Sequence, residues 1–280
     1  MKKVFIAPAK INLCLHVLGR REDGYHELAM AMQRVDLCDT VEIELSDRSG
    51  VRVACPGIEL PPGGENIAAQ AAQLILDEAG SAVGVDIHIT KHIPVAAGLG
   101  GGSSDAATVL VGLSDMLGLT PGIGRLQSLG SRLGADVPFF IFKQPAWATG
   151  TGTQLERLPA LPKVAYLLIN PRVAVSTADV YRSLQLTKQG ELANLPKFSV
   201  MTRDDLCAAL HNDLETVVLD RFPQVAAVKE RLLKQGALGA LMSGSGSTVF
   251  GVYPDYSAAC VAAEQLAKEN DWLIYPVRPL

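Results

Sequence analysis

The feature that most constrains the fold is a glycine-rich segment at residues 94–105, PVAAGLGGGSSD, followed at once by a helical pattern over residues 103–117. Glycines let a backbone approach an anion closely and turn its N–H groups inward. The N-terminus of the following helix adds a partial positive charge, with Ser103, Ser104 and Asp105 expected as N-cap or first-turn residues. The segment therefore predicts a phosphate-binding loop at a helix N-terminus, and a flexible surface loop is the alternative.

Three better-known letter patterns do not fit this segment. No lysine follows the glycines, as GxxxxGK[ST] requires, and Ser103 stands where GxGxxG requires its last glycine. The serines also lack the flanking glycines of GxSxG, which weakens a serine-hydrolase interpretation. A second glycine- and serine-rich stretch, residues 236–251, lies between two apolar segments and is typical of a hairpin connection.

Composition excludes several function classes. A formal net charge of -4 over 280 residues argues against binding a nucleic-acid backbone, which needs a basic surface. No apolar run reaches the roughly 20 residues that span a bilayer, so no membrane partner is expected. The five cysteines form no CxxC pair, which predicts unpaired thiols and a cytoplasmic protein.

The apolar periodicity predicts an α+β chain of two domains, residues 1–155 and 156–280. Asn66–Ala79 has helical spacing and ends before Gly80, where a C-cap is expected. Strand-like segments are Val41–Leu45, Val51–Val53, Val85–Ile89, Val164–Leu168 and Trp272–Val277, and further helical segments are Leu126–Leu133, Val225–Leu233 and Ala258–Lys268.

Three separated segments resemble the GHMP kinases, the superfamily of galactokinase, homoserine kinase and mevalonate kinase. They are APAKINL at 7–13, the loop at 94–107 and MSGSGS at 242–247. The resemblance implies a two-domain fold, with an N-terminal domain like ribosomal protein S5, a C-terminal ferredoxin-like α/β domain, and a cleft between them.

Three more segments are most similar to the members that act on a cytidyl-linked polyol. They are REDGYHEL at 21–28, GADVPFF at 134–140 and VSTADVY at 175–181. The implied reaction transfers the γ-phosphoryl group of ATP to the 2-hydroxyl of a methylerythritol unit, in the non-mevalonate route to isoprenoids.

The resemblance also implies roles for individual residues. Asp136 is expected beside the accepting hydroxyl, and Lys10 as the cation that polarises it. Taken alone, Asp136 is also compatible with a loop cap and Lys10 with a solvated strand lysine. The residues expected at ATP are Asn66, Pro94, Val95, Ala96, Ala97, Gly98, Leu99, Gly100, Gly101, Gly102, Ser103 and Ser104. The residues expected at the cytidyl substrate are Asn12, Tyr25, His26 and Tyr181.

Magnesium is the expected ion, but its protein ligands cannot be named from the sequence. Mg²⁺ keeps several waters, so ATP and water are expected to hold most of its shell. His88 and His92 are interpreted as structural, because a spacing of four does not bring two strand side chains to one metal. Two alternatives stay open: another GHMP kinase with a different alcohol, or a nucleotide-binding module without turnover. The expected assembly is a monomer or weak homodimer.

Overall fold

The computed structural model describes residues 1–57, 66–184, 195, 198–268 and 271–280. It divides into two compact units, each built from several stretches of the sequence. The first unit comprises Met1–Ala9, Leu37–Val95 and Gly100–Lys143, and the second comprises Lys10–Asp36, Ala96–Leu99 and Gln144–Leu280. A division into consecutive domains at residue 155 stays a prediction.

Strands and helices are mixed along the chain, in agreement with the predicted α+β class. The strands are β1 Lys2–Arg20, β2 His26–Ser46, β3 Val51–Ala54, β4 Gly84–Thr90, β5 Ala146–Gly150, β6 Gln154–Arg157, β7 Ala165–Asn170, β8 His211–Asn212, β9 Gly239–Met242, β10 Val249–Tyr253 and β11 Leu273–Val277. The helices are α1 Ile67–Ala79, α2 Gly101–Met116, α3 Ile123–Ser131, α4 Val137–Phe142, α5 Thr177–Ser183, α6 Arg203–Ala208, α7 Asp213–Arg221, α8 Pro223–Lys234 and α9 Tyr256–Ala267.

In the first unit, β4 pairs in parallel with β3 and antiparallel with the last residues of β2. Val41 and Ile43 of β2, together with Ile87 and Ile89 of β4, are buried, whereas the residues between them are more exposed. Alternate residues of a strand point to opposite faces, so one face of this sheet enters the core. Helices α1 and α2 pack together, and α2 packs on α4.

In the second unit, a four-stranded antiparallel sheet has the order β11–β7–β10–β9. All six residues of β7 are buried, so both faces of this strand are covered. Helices α8 and α9 pack on these strands. The same unit holds the second half of β1, which pairs in parallel with β8, and the first half of β2, which pairs with the β5–β6 hairpin.

Most of the elements predicted from periodicity are confirmed, with ends that agree within three residues, except that Val41–Leu45 is the last part of a strand that begins at His26. Asn66 caps α1 by accepting a hydrogen bond from the backbone N–H of Ala68 at 2.9 Å, and Gly80 ends that helix at a φ of 57°. The stretch 236–251 contains the antiparallel connection between β9 and β10, as its composition predicts. None of the described helices is both long and apolar enough to cross a membrane.

The start of α2 corrects one prediction. Its N-cap is Gly100, in the left-handed conformation at a φ of 70°, and the helix already includes Gly101 and Gly102. Ser103 and Ser104 therefore lie inside the first turn, which is one of the two positions expected for them, and do not cap the helix. The expected role of Asp105 as a first-turn partner of the helix dipole is wrong, because Asp105 is the fifth residue of the helix and lies beyond its first turn. Its carboxylate accepts a hydrogen bond from Lys91 Nζ at 2.7 Å.

Candidate functional site

Residues 96–99 of the glycine-rich segment belong to the second unit and are held by its backbone. The N–H of Lys10 donates to the carbonyl of Leu99 at 2.9 Å, and the N–H of Thr248 donates to that of Ala97 at 3.3 Å. Ala97 and Leu99 are buried. Two of the three segments that carry the kinase resemblance are thus joined within one unit, by bonds between distant parts of the chain.

Gly98 occupies a position that no other residue fits. Its φ of 76° lies in the left-handed region, and a Cβ added there would lie 2.0 Å from the carbonyl oxygen of Ser243. The obstructing atom belongs to the backbone, so it cannot rotate away. Glycine at this position therefore allows close contact between the glycine-rich segment and residues 242–247, called here the Gly/Ser loop.

The Gly/Ser loop is fixed by side-chain hydrogen bonds from several elements. Ser243 Oγ donates to the carbonyl of Gly98 at 3.0 Å, and the amide of Asn212 donates to the carbonyls of Met242 and Gly244, each at 2.8 Å. Ser245 Oγ and Thr177 Oγ1, in α5, lie 2.7 Å apart. The sequence left the role of this loop open, and the structure identifies it as a support for residues 97–99.

Lys10 is a buried lysine at the centre of β1, with 4% of its surface exposed. This burial rules out the alternative of a solvated strand lysine. Its Nζ donates to Asn12 Oδ1 at 2.6 Å, and Asn12 is itself buried, with its N–H donating to Ser243 Oγ at 3.3 Å. Burying an ammonium is costly unless polar groups surround it. A buried lysine held by polar groups is typical of functional sites.

His26 and Tyr181 lie together in the second unit, with ring centroids 4.9 Å apart and planes inclined at 31°. They come from β2 and α5, elements far apart in sequence, so the GYHEL and STADVY segments are in direct contact. Burial, and to a smaller extent the charge of Arg20, lowers the pKa of His26, which favours the neutral imidazole. Tyr25 is 65% exposed.

The N-terminus of α2 belongs to the first unit, where Gly101 packs closely against its neighbours. A Cβ on Gly101 would lie 3.0 Å from Ile93 Cγ2 and 3.2 Å from Lys91 Nζ, and one on Gly102 would lie 3.7 Å from Ile67 Cδ1. Asn66, which caps the helix beginning at Ile67, is therefore near this turn. Within the described residues, the buried Oγ of Ser104 has no hydrogen-bond partner.

The sequence did not predict a buried ion cluster that lies next to the first turn of α2. Lys91 Nζ bonds to the carboxylates of Asp39 and Asp105, and the other oxygen of Asp39 accepts the N–H groups of His92 at 2.6 Å and Ile93 at 2.8 Å. Burial raises the pKa of Asp105 to about 7, although the ammonium of Lys91 lowers it. Asp105 Oδ1 has no partner among the described residues.

Asp136 lies at the N-terminus of α4, in the first unit, and is partly exposed. Its side chain makes no capping hydrogen bond to that helix. A Cβ on Gly134, two residues earlier, would lie 3.8 Å from Ser103 Oγ. The segment that carries Asp136 thus adjoins the first turn of α2, within the same unit.

The structure groups the predicted residues within each unit. The second unit joins Lys10, Asn12 and residues 97–99, and separately His26 with Tyr181. The first unit places Gly102 beside Ile67, the residue that follows Asn66, and Ser103 beside Gly134, two residues before Asp136. Sequence reasoning missed Asp39, Lys91 and Asn212. Of these three, Asn212 had the clearest sequence signal, because HNDLE is an N-cap pattern. The hydrogen bond that Asn212 Oδ1 accepts from the N–H of Leu214 confirms this cap.

Comparison with known proteins gives the same assignment over the whole chain. Family models for the GHMP kinases N terminal domain and the GHMP kinases C terminal region match residues 66–144 and 195–271. A 4-diphosphocytidyl-2-C-methyl-D-erythritol kinase of Syntrophotalea carbinolica is 57% identical over 276 residues, covering 99% of this chain and 98% of that protein. The expected superfamily is therefore confirmed.

Solved structures agree with the sequence match. A crystal structure of 4-(cytidine 5'-diphospho)-2C-methyl-D-erythritol kinase superposes with a TM-score of 0.82 at 38% identity, covering 99% of each chain. Homoserine kinase from Cytophaga hutchinsonii reaches 0.75 at 20% identity, covering 99% of this chain and 95% of that one, and indicates the shared fold alone. This chain belongs to the GHMP kinases and, within them, to the family of the 4-diphosphocytidyl-2-C-methyl-D-erythritol kinases.

Proposed function

We propose that the protein transfers the γ-phosphoryl group of ATP to the 2-hydroxyl of 4-diphosphocytidyl-2-C-methyl-D-erythritol, giving the 2-phosphate and ADP. The observation that carries this proposal is 57% identity to an enzyme of that name, over 99% of this chain. The buried Lys10–Asn12 pair and the His26–Tyr181 contact add physical support at residues predicted for catalysis and for the cytidyl group. The reaction belongs to non-mevalonate isoprenoid precursor synthesis.

For ATP, we assign the triphosphate to the glycine-rich segment. The first N–H groups of α2 have no intrahelical acceptor, and the helix dipole favours an anion at this end. Gly100, Gly101 and Gly102 expose these N–H groups without side chains in front of them. Ser103 and Ser104 supply hydroxyls, and Asn66 remains our candidate for the adenine end.

For Mg²⁺, the chain offers oxygen ligands of the type that this hard cation prefers. Ser104 Oγ and Asp105 Oδ1 are buried, without partners in the described part of the chain, at the start of the helix assigned to ATP. We propose that these two oxygens face the ion in the ATP-bound enzyme. When bound, Mg²⁺ would neutralise phosphate charge as the transfer proceeds.

For the transfer itself, the 2-hydroxyl oxygen bonds to the γ-phosphorus while the bond from that phosphorus to the ADP oxygen breaks. We assign Asp136 to orient the hydroxyl and accept its proton as that bond forms. Lys10 is assigned to stabilise negative charge on the reacting oxygens, and Asn12 Oδ1 holds the Nζ in place at 2.6 Å. Such a reaction depends mainly on position and charge, because little covalent chemistry falls to the protein.

For the cytidyl group, His26 and Tyr181 form one aromatic surface. A cytosine stacked on a tyrosine face gains about 1–3 kcal/mol, and the neutral imidazole favoured at His26 can both donate to and accept from the edge of a base. The exposed ring of Tyr25 is the candidate for the other face of the base. These roles support a preference for a cytidine-linked alcohol over a small free one.

The decisive experiment is coupled ADP release with Mg-ATP and three separate alcohols: the cytidyl substrate, homoserine and mevalonate. We expect turnover with the cytidyl substrate. Asp136→Asn should lower kcat about 10²–10⁴-fold with ATP affinity largely kept, since the amide retains the shape of the side chain. Asp115→Asn, at the far end of α2 and in a surface ion pair with Lys3, is the matched control and should keep full activity.

The outcomes separate the alternatives. Turnover with homoserine or mevalonate would retain the kinase activity and refute the cytidyl pocket. No turnover with any alcohol, in a protein that still binds ATP, would favour a nucleotide-binding module. Near-normal activity of Asp136→Asn would remove Asp136 from catalysis. A cytoplasmic location and a monomer or weak homodimer stay predictions.

A further inference from the structure

Two histidines and an aspartate converge within the second unit, and none of them is among the residues assigned to ATP or to the cytidyl substrate. The rings of His16 and His211 stack with centroids 4.5 Å apart and planes inclined at 18°. His211 Nε2 lies 2.7 Å from Asp213 Oδ1. One potential metal-ligand atom from each of the three residues lies within 4.8 Å of the other two.

Backbone pairing explains why residues almost 200 positions apart meet here. Strands β1 and β8 pair in parallel, with Cys14 opposite His211 and Leu15 opposite Asn212. Residues two apart on a strand share a face, so His16 follows Cys14 on one side of β1 and can stack on His211. Asp213 then begins α7, directly after β8.

The third ligand is held in place by the backbone. Asp213 Oδ2 accepts the N–H of Val17 at 2.7 Å, which leaves Oδ1 directed at His211. The side chains of His211 and Asp213 remain 49% and 32% exposed, so an ion can reach them from solvent. Hydrogen bonds that fix a carboxylate ligand are typical of the surroundings of metal sites.

From this geometry we propose that His16, His211 and Asp213 form a binding site for a divalent transition-metal ion of the Zn²⁺ type. Two imidazole nitrogens and one carboxylate oxygen suit Zn²⁺ and the neighbouring first-row ions, whereas Mg²⁺ and Ca²⁺ prefer all-oxygen shells. Water completes a tetrahedral set. Ligands at about 2.0–2.1 Å from Zn²⁺ would stand about 3.3 Å apart. Binding therefore requires side-chain rotations that turn the two rings out of their stack and direct one nitrogen of each to the ion.

The site has a structural consequence for the Gly/Ser loop. Asn212 lies between two of the proposed ligands, and its amide holds the carbonyls of Met242 and Gly244. An ion bound to His211 and Asp213 would therefore restrain the residue that anchors this loop. Metal binding is expected to slow amide hydrogen exchange in residues 242–247.

The test uses the full chain without an affinity tag, freed of metal by a chelator and titrated with Zn²⁺ alone and with Co²⁺ alone. We expect one ion per chain, with Co²⁺ d–d bands and no thiolate charge-transfer band, because no cysteine is a ligand. His211→Ala and His16→Ala should each weaken binding by at least the roughly 10–100-fold that loss of an outer-shell partner costs.

His88→Ala is the matched control, since it removes an exposed histidine from β4 of the first unit and should leave binding unchanged. Zn²⁺ should also raise Tm for the parent chain and for His88→Ala, but not for His211→Ala. A Co²⁺–thiolate band, or equal affinity in all variants, would overturn the proposal. Unchanged exchange in residues 242–247 with the site filled would overturn the link to the Gly/Ser loop. Neither result bears on the kinase activity.

Discussion

Gly98→Ala is the sharpest test of how the glycine-rich segment is built. The new Cβ would lie 2.0 Å from the carbonyl oxygen of Ser243 and 3.1 Å from that of Gly246, at a φ of 76°. The left-handed conformation alone costs about 1–2 kcal/mol for alanine. Relief of the clash requires a backbone shift of more than 1 Å, and overpacking of this kind adds about 1–3 kcal/mol.

Gly236→Ala separates these two contributions. Gly236 belongs to the same unit and has a φ of 84°, but a Cβ there would have nothing within 4 Å. Each kcal/mol shifts Tm by about 2–4 °C in a chain of this order of size. Thermal scans should therefore show Gly98→Ala at least about 2 °C below Gly236→Ala.

Equilibrium binding of ATP to the same two variants completes the test. We expect weaker binding in Gly98→Ala alone, because only that substitution displaces residues 97–99 from the Gly/Ser loop. Equal Tm values with equal ATP affinity would refute the reasoning, since the backbone would then have absorbed the methyl group without consequence.

Three further predictions concern the polar and aromatic groups. Lys10→Met, which keeps the length of a buried side chain, should lower kcat in the ADP-release assay by about 10²–10³-fold, and unchanged kcat would contradict a catalytic role. Tyr181→Ala should raise KM for the cytidyl substrate about 5–150-fold through lost stacking and leave KM for ATP unchanged. Tyr181→Phe keeps the ring and should behave like the parent. Equal effects of both variants on KM for the cytidyl substrate would contradict stacking. The pKa of Asp105, raised to about 7 by burial against the lowering effect of Lys91, lies above the value of about 3.9 expected in the unfolded chain. The stability gained from this shift is complete below about pH 4 and is lost as pH rises through about 7. Tm should therefore fall from pH 5 to 8 more steeply in the parent than in Asp105→Asn. Parallel profiles of Tm against pH in the two proteins would contradict the shift.

Local patterns predicted the elements whose stability is decided locally. Asn66 and Gly80 were placed correctly at the two ends of α1, because a side-chain cap and a left-handed glycine each act within one turn. The alternation of apolar and polar residues in β2 and β4 likewise identified their buried faces, because successive residues of a strand point to opposite sides. Resemblance to the GHMP kinases supplied the fold and the superfamily, which periodicity does not determine.

The start of α2 shows where local reasoning fails. Glycine is a poor helix former, so the pattern placed the first helical residue at Ser103 instead of Gly101. Tertiary packing decides otherwise, since Ile93 Cγ2 and Lys91 Nζ lie too close to Gly101 to admit a side chain comfortably. The residues that crowd Gly101 lie eight and ten positions earlier in the chain, beyond the one turn over which capping and helix propensity act.

The buried polar residues are a second case in which local patterns are not sufficient, because their hydrogen-bond partners are distant in sequence. Ser243 Oγ reaches a carbonyl 145 residues away, and Lys91 reaches an aspartate 52 residues away. Each of these groups would be costly to bury without its partner, so the tertiary fold and the polar pairing must arise together. The sequence shows that Ser243 and Lys91 carry polar side chains, but the fold of distant segments determines which groups they meet. Loss of Asp39 should therefore destabilise the first unit about as much as loss of Lys91, although neither residue lies in a segment that the sequence singled out.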